Sequence, residues 1–156
     1  VGKVVWLEAW RLNRVEKLRQ DALFSFPWNK LSQIIDHILD PSLQILSSRQ
    51  RFVVDEAIYR IAFEAYVYGM EASRKGEAEC PPERPEAERK QWCERVFGFE
   101  GSRLIGRIVE DLHLFRQLDE WTIQSMMYFF EEVTSKWFLE GVDYGIRLRK
   151  QGLHKT

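Results

Sequence analysis

Apolar positions recur along this chain every three to four residues in almost every window. Leu31, Ile34, Ile35, Ile38 and Leu39 follow one another at i, i+3, i+4, i+7 and i+8, which lays one apolar stripe along a helix. Asp40-Pro41 predicts its end, because proline lacks the N–H that would continue the ladder and disfavours a helical residue before it. Ser47 and Ser48 then offer N-caps to a helix over about 49–75. That helix is apolar around most of its girth, from Phe52 to Val67, with Glu56, Arg60 and Glu64 at i+4 spacing along one wet edge. It reads as central and as ending near Gly76.

The stretch 76–90 changes character, with three prolines, no large apolar residue and many glutamates. It predicts an exposed linker, with Pro85 beginning the next helix, whose short apolar face is Trp92, Cys93, Val96 and Phe97. Ser102 is expected to cap a further helix, with Leu104, Ile105, Ile108, Val109, Leu112 and Phe115 on one side. Asp119 is a cap for the last and longest helix, 120–150, whose inner face runs Met126, Phe130, Val133, Trp137, Gly141, Tyr144, Leu148. The N-terminal helix, about 4–23, is the least regular, but Trp6, Trp10, Val15 and Leu18 need cover. No window alternates with period two, so the fold class is all-α, with about six helices in one compact bundle over 1–156.

Sliding the chain on itself by 73 to 76 residues suggests an internal repeat. Phe24-Ser25-Phe26 falls on Phe97-Gly98-Phe99, Leu31 on Leu104, Glu64 on Glu140, and Tyr68-Gly69 on Tyr144-Gly145. Any two amphipathic helices agree in their apolar positions, but the matched Gly, Glu and Tyr are not what amphipathicity requires. A repeat would make two three-helix halves, 1–76 and 91–156, joined by the linker 77–90, with helices 49–75 and 120–150 equivalent.

Chemistry is sparse. Glu110-Asp111-Leu112-His113 contains Glu-x-x-His, the i, i+3 pair that di-iron bundles use on each of two helices. Glu64 and Glu140 could supply the further carboxylates, so Glu64, Glu110, His113 and Glu140 are the metal candidates. The second half of that pattern fails, since Asp36-His37-Ile38-Leu39 has leucine where histidine is needed. Cys80 and Cys93 lack the paired spacing of zinc ligands; Cys93 reads as a small buried apolar residue and Cys80 as an exposed bystander. There is no Gly-x-Ser-x-Gly elbow, and Gly98, Gly101 and Gly106 lack the Lys-Ser/Thr of a phosphate loop. No residue is assigned a catalytic role and no cofactor is expected.

The C-terminal helix offers an interaction set. Gly141 and Gly145, at i and i+4, leave a shallow groove for close helix approach, which in a charged helix means packing within a bundle. Arg147, Arg149, Lys150 and Lys155 follow, with no acidic residue after them. They suit a helix C-terminus through its dipole; they could also dock on an acidic partner, on RNA, or on the chain's own acidic linker.

Composition narrows the classes. With 45% hydrophobic residues and 13% aromatics, six of them Trp and ten Phe, the chain can build a core without disulfides. A net charge of −1 gives no general pull toward nucleic acid or anionic lipid. No apolar run approaches the roughly 18 residues a membrane span needs. Two cysteines and no signal segment lead to the expectation of a cytoplasmic protein with free thiols.

Ala62-Phe63-Glu64-Ala65-Tyr66 with Gly69, and Trp137, Glu140-Gly141, Gly145, Arg147, Arg149 and Lys150, resemble a domain-of-unknown-function family of small helical proteins from Bacillus-type bacteria. The resemblance covers about 34–69 and the last helix, and the Pro- and Glu-rich stretch 77–88 departs from it. It implies a bacterial cytosolic protein and carries over no catalytic residue. The expected function is a non-enzymatic helical protein–protein interaction or regulatory protein, with a protein partner or a homodimer and without nucleic acid or membrane. The alternative is a carboxylate/His metal-binding bundle with redox or hydrolytic activity.

Overall fold

A computed structural model describes residues 2–39 and 46–152, and all regular structure among them is helical. Helix α1 spans Gly2–Ser25 and α2 spans Trp28–Ile34, which widens into a π-helical turn over Ile35–Leu39. Helices α3 (Ser48–Glu71) and α4 (Ser73–Glu79) are nearly continuous. Helix α5 spans Glu86–Asp111, α6 is the short turn Leu114–Gln117, and α7 spans Glu120–Lys150.

The caps expected at Ser47 and Asp119 are in place. Gln50 N–H donates to Ser47 Oγ (3.1 Å) and Ser47 N–H donates back to Gln50 Oε1 (2.9 Å), a reciprocal capping box at the start of α3. Thr122 N–H donates to Asp119 Oδ1 (2.7 Å) at the start of α7, and these backbone bonds hold the Asp119 carboxyl below its usual range. Gly152, at φ 71°, ends α7 in the left-handed conformation that glycine takes at least cost.

The core is a seam between α3 and α7, which run parallel. Gly69 faces Phe138, Gly141 and Val142; Gly141 faces Tyr66 and Met70; Gly145 faces Ser73 and Met70. The lack of a Cβ at these crossings lets the two backbones meet directly. Around the seam, Phe26 stacks on Trp137 with ring centroids 4.7 Å apart and Phe97 stacks on Phe138 at 4.3 Å. Each fully buried large apolar side chain, such as Ile58, Ile61 or Leu104, contributes about 1.5–3 kcal/mol. A half-exposed ion pair contributes about 0–1 kcal/mol. The seam therefore holds the fold, and the pairs position the outer helices.

Several sequence expectations are redrawn. The buried Gly76 does not end a helix; it lies inside α4 against Val142 and Trp92. The linker 77–90 is helical at both ends, leaving 80–85 as the connection between α4 and α5. Ser102 caps nothing, because α5 continues unbroken through Gly98 and Gly101, where Gly101 packs against Thr134 and Phe97. Phe115 leaves the apolar face of α5 and stands 65% exposed, since His113 (φ 54°) turns the chain before it. Cys80 is buried, because α4 folds it back onto the core. Ile38, Leu39 and Trp6 have side chains outside the described set, and Asp40, Pro41 and Lys155 lie outside the described residues.

Candidate interaction surface

The four metal candidates do not converge. Glu64 is held by Arg19 in a two-point pair at 2.8 and 3.0 Å, and Glu140 accepts from Lys30 Nζ at 2.6 Å. Each glutamate therefore ties a peripheral element, α1 or α2, to a central helix. Glu110 and His113 are exposed at the far end of α5. Among the described residues no group of three or more His, Cys, Asp or Glu side chains is placed to share an ion. The expected wet edge of α3 is present in Arg60 and Glu56, paired at 3.0 Å, but Glu64 turns away from it toward Arg19.

The C-terminal set divides in two. Gly141 and Gly145 are buried in the α3/α7 seam and serve the chain's own packing. Arg149 docks on α4, pairing with Glu77 at 2.9 Å and bonding Ser73 Oγ, which is the internal acidic docking that the sequence allowed. Arg147 lies over the Tyr144 ring at 5.8 Å, and Lys150 is exposed.

Cys93 is as inert as its apolar neighbours suggest. Its thiol is buried, reaches the Ser135 carbonyl at 3.9 Å, and is pushed up to about 11 by that burial. Burial likewise pushes the Tyr66 phenol up to about 12, although its hydroxyl shares a 2.9 Å hydrogen bond with Ser25.

Two surface features stand out against this closed interior. The first is α1. Its C-terminal half is fixed through Leu18, Arg19, Ala22 and Ser25, but Leu7 is 56% exposed, Trp10 53% and Val15 40%. These residues share a helix face with Leu18 and Ala22, so the stripe that seats α1 runs on about half exposed. The sequence signalled that Trp10 and Val15 need cover, and among the described residues that cover is only partial.

The second is a groove of about 130 Å³ between α5 and α7, lined by Phe97, Gly98, Gly101 and Ile105 beside the polar Ser102, Thr134 and Ser135, with the carboxylates Glu94 and Glu131. Neither carboxylate has an ion-pair partner among the described residues. Sequence reading missed this groove, because its small residues fall at positions that an amphipathic pattern counts simply as polar. No described helix is long and apolar enough to cross a membrane. Comparison of the chain with known protein families, with curated proteins and with solved structures finds no match.

Proposed function

We propose that this chain is a non-enzymatic helical interaction protein that binds a protein partner through apolar side chains its own fold leaves open. The observation that carries the reading is the α1 face, where Leu7, Trp10 and Val15 continue a buried stripe into solvent. Exposed large residues in register with a buried stripe mark a contact surface rather than scatter. The competing reading, a metal-binding bundle, loses two of its candidate carboxylates, Glu64 and Glu140, to Arg19 and Lys30. An RNA-docking tail is weakened in the same way, since Arg149 is committed to Glu77. The proposal includes a cytoplasmic location, which suits two unpaired thiols, and kinship with the Bacillus-type family. It also includes descent from two duplicated halves, which suits the parallel, glycine-mediated contact of α3 with α7.

The test is affinity capture on the immobilised chain beside its Leu7→Glu/Trp10→Glu variant, with elemental analysis of the same desalted protein. A discrete set of retained proteins that the variant loses is the expected result, on metal-free protein. Identical sets on both chains, or near-stoichiometric iron, manganese or zinc lost on Glu110→Gln or His113→Ala, would overturn the proposal.

A further inference from the structure

The open face of α1 is apolar and basic. Leu7, Trp10, Arg11 and Val15 share it; the Arg14 guanidinium lies over the Trp10 ring at 5.5 Å and also acts electrostatically on Glu71 of α3. Over residues 2–17 the helix carries four cations, Lys3, Arg11, Arg14 and Lys17, against Glu8 and Glu16. The α5/α7 groove has the opposite character. Phe97 and Ile105 share its lining with Ser102, Thr134 and Ser135, and Gly98, which has only the Glu94 side chain within 4 Å of a Cβ, leaves room for a side chain from a neighbouring helix; Glu94 and Glu131 stand at its edge, and no basic residue lines it.

The groove is out of reach of α1 of the same copy. Arg19–Glu64 and Ser25–Tyr66 pin α1 to α3, and neither helix lines the groove. Between Lys3 and Ser25, α1 is one helix without Gly or Pro at which it could fold back.

Resting on the interaction reading above and naming its partner, we propose that α1 of one copy of this chain docks by its Leu7/Trp10/Arg11 face into the α5/α7 groove of a second copy. Trp10 and Leu7 lie over Gly98, and Arg11 faces Glu94 and Glu131. Made reciprocally, the two contacts close a dimer. A lipid surface would take the basic apolar helix but would leave the acidic groove without a role, so the complementary charges favour a second copy.

Sedimentation equilibrium of the full chain, from low to high micromolar at low salt, tests this. The expected species has twice the chain mass and dissociates as salt rises. Trp10→Glu on the helix and Gly98→Leu in the groove should each raise the dissociation constant about tenfold or more. Both positions are open to solvent or space, so circular dichroism and melting should stay near wild type. Arg11→Glu and Glu131→Arg should each weaken the dimer singly and restore it together, which a merely structural role would not do.

A chain that is monomeric at every concentration, or a dimer indifferent to both surfaces, overturns the inference. So does a monomer that floats with phosphatidylserine-containing vesicles in a Trp10-dependent way. If the monomeric chain still loses its captured proteins on Leu7→Glu/Trp10→Glu, the choice of partner is wrong and the interaction reading survives. If neither dimer nor capture depends on α1, both fall.

Discussion

Alanine at Gly69 should destabilise the protein, although helix propensity alone says the reverse. In a helix interior alanine is favoured over glycine by about 0.8–1 kcal/mol. At Gly69, however, a Cβ would overlap the Phe138 carbonyl oxygen and come within 2.8 Å of Val142 N and 3.0 Å of Gly141 Cα. All three are backbone atoms, so no rotamer change relieves the overlap, and α3 must move away from α7. A gap of 0.5–1 Å forfeits about a quarter to a half of each dispersion contact, and the seam includes Tyr66, Met70, Phe138 and Val142. Overpacking of this kind costs about 1–3 kcal/mol or more. The net expectation is a loss of about 2 kcal/mol, or a melting temperature lower by about 4–8 °C. Gly141→Ala, whose Cβ would overlap the Tyr66 carbonyl, should behave alike, and the double variant should cost less than the sum because the seam is opened once. Gly106→Ala is the control: nothing lies within 4 Å of its Cβ, so it should stabilise by up to about 1 kcal/mol. Urea unfolding followed by tryptophan fluorescence and far-UV circular dichroism reads all four. If alanine at Gly69 stabilises as it does at Gly106, the direct meeting of α3 and α7 is wrong.

Further outcomes follow from local chemistry. His113→Gly should raise stability by about 1 kcal/mol, since φ 54° costs an L-residue what glycine does not incur; a lower urea midpoint would contradict this. Cys93 and Tyr66 both have folded values above their ordinary 9.0 and 10.0, so the stability they contribute is complete below pH 9 and is lost as pH rises through about 11 and 12. Melting temperature should fall steeply above pH 9, less so in Cys93→Ala, and a profile flat to pH 11 would refute it. Consistent with that burial, the native Cys93 thiol should react with a soluble disulfide reagent only when the protein opens.

Much of the architecture was legible in the sequence, and the reasons are specific. Caps are local chemistry, so Ser47 and Asp119 could be placed from their neighbours alone. The inner face of α7 was legible because Met126, Phe130, Val133 and Trp137 keep strict helical spacing. The run around 77–90 misled because proline and glutamate describe a surface, and a helix N-terminus is also a surface that favours both residues. Ser102 misled because a serine beside a glycine looks like a boundary unless the partner helix is known to press against that glycine. The surface is where one-dimensional pattern says least. It shows that Trp10 and Val15 are apolar, but whether anything covers them depends on where α1 leaves α3. The roles of Glu64 and Glu140 were hidden for the same reason, since Arg19 and Lys30 are 45 and 110 residues away.

Hydrogen–deuterium exchange across the chain, at low and at high protein concentration, tests the central claim most directly. That claim is that α1 carries a contact face left half exposed by the described residues of its own copy. In dilute protein the amides of residues 7–17 should exchange far faster than those around Ile61–Met70 and Val133–Ile146, because an isolated helical stretch is marginal in water. At high concentration, residues 7–17 and the α5 segment around Gly98 should gain protection together. Protection of residues 7–17 equal to that of α3 in dilute protein would contradict the claim, because the face would already be covered within one copy.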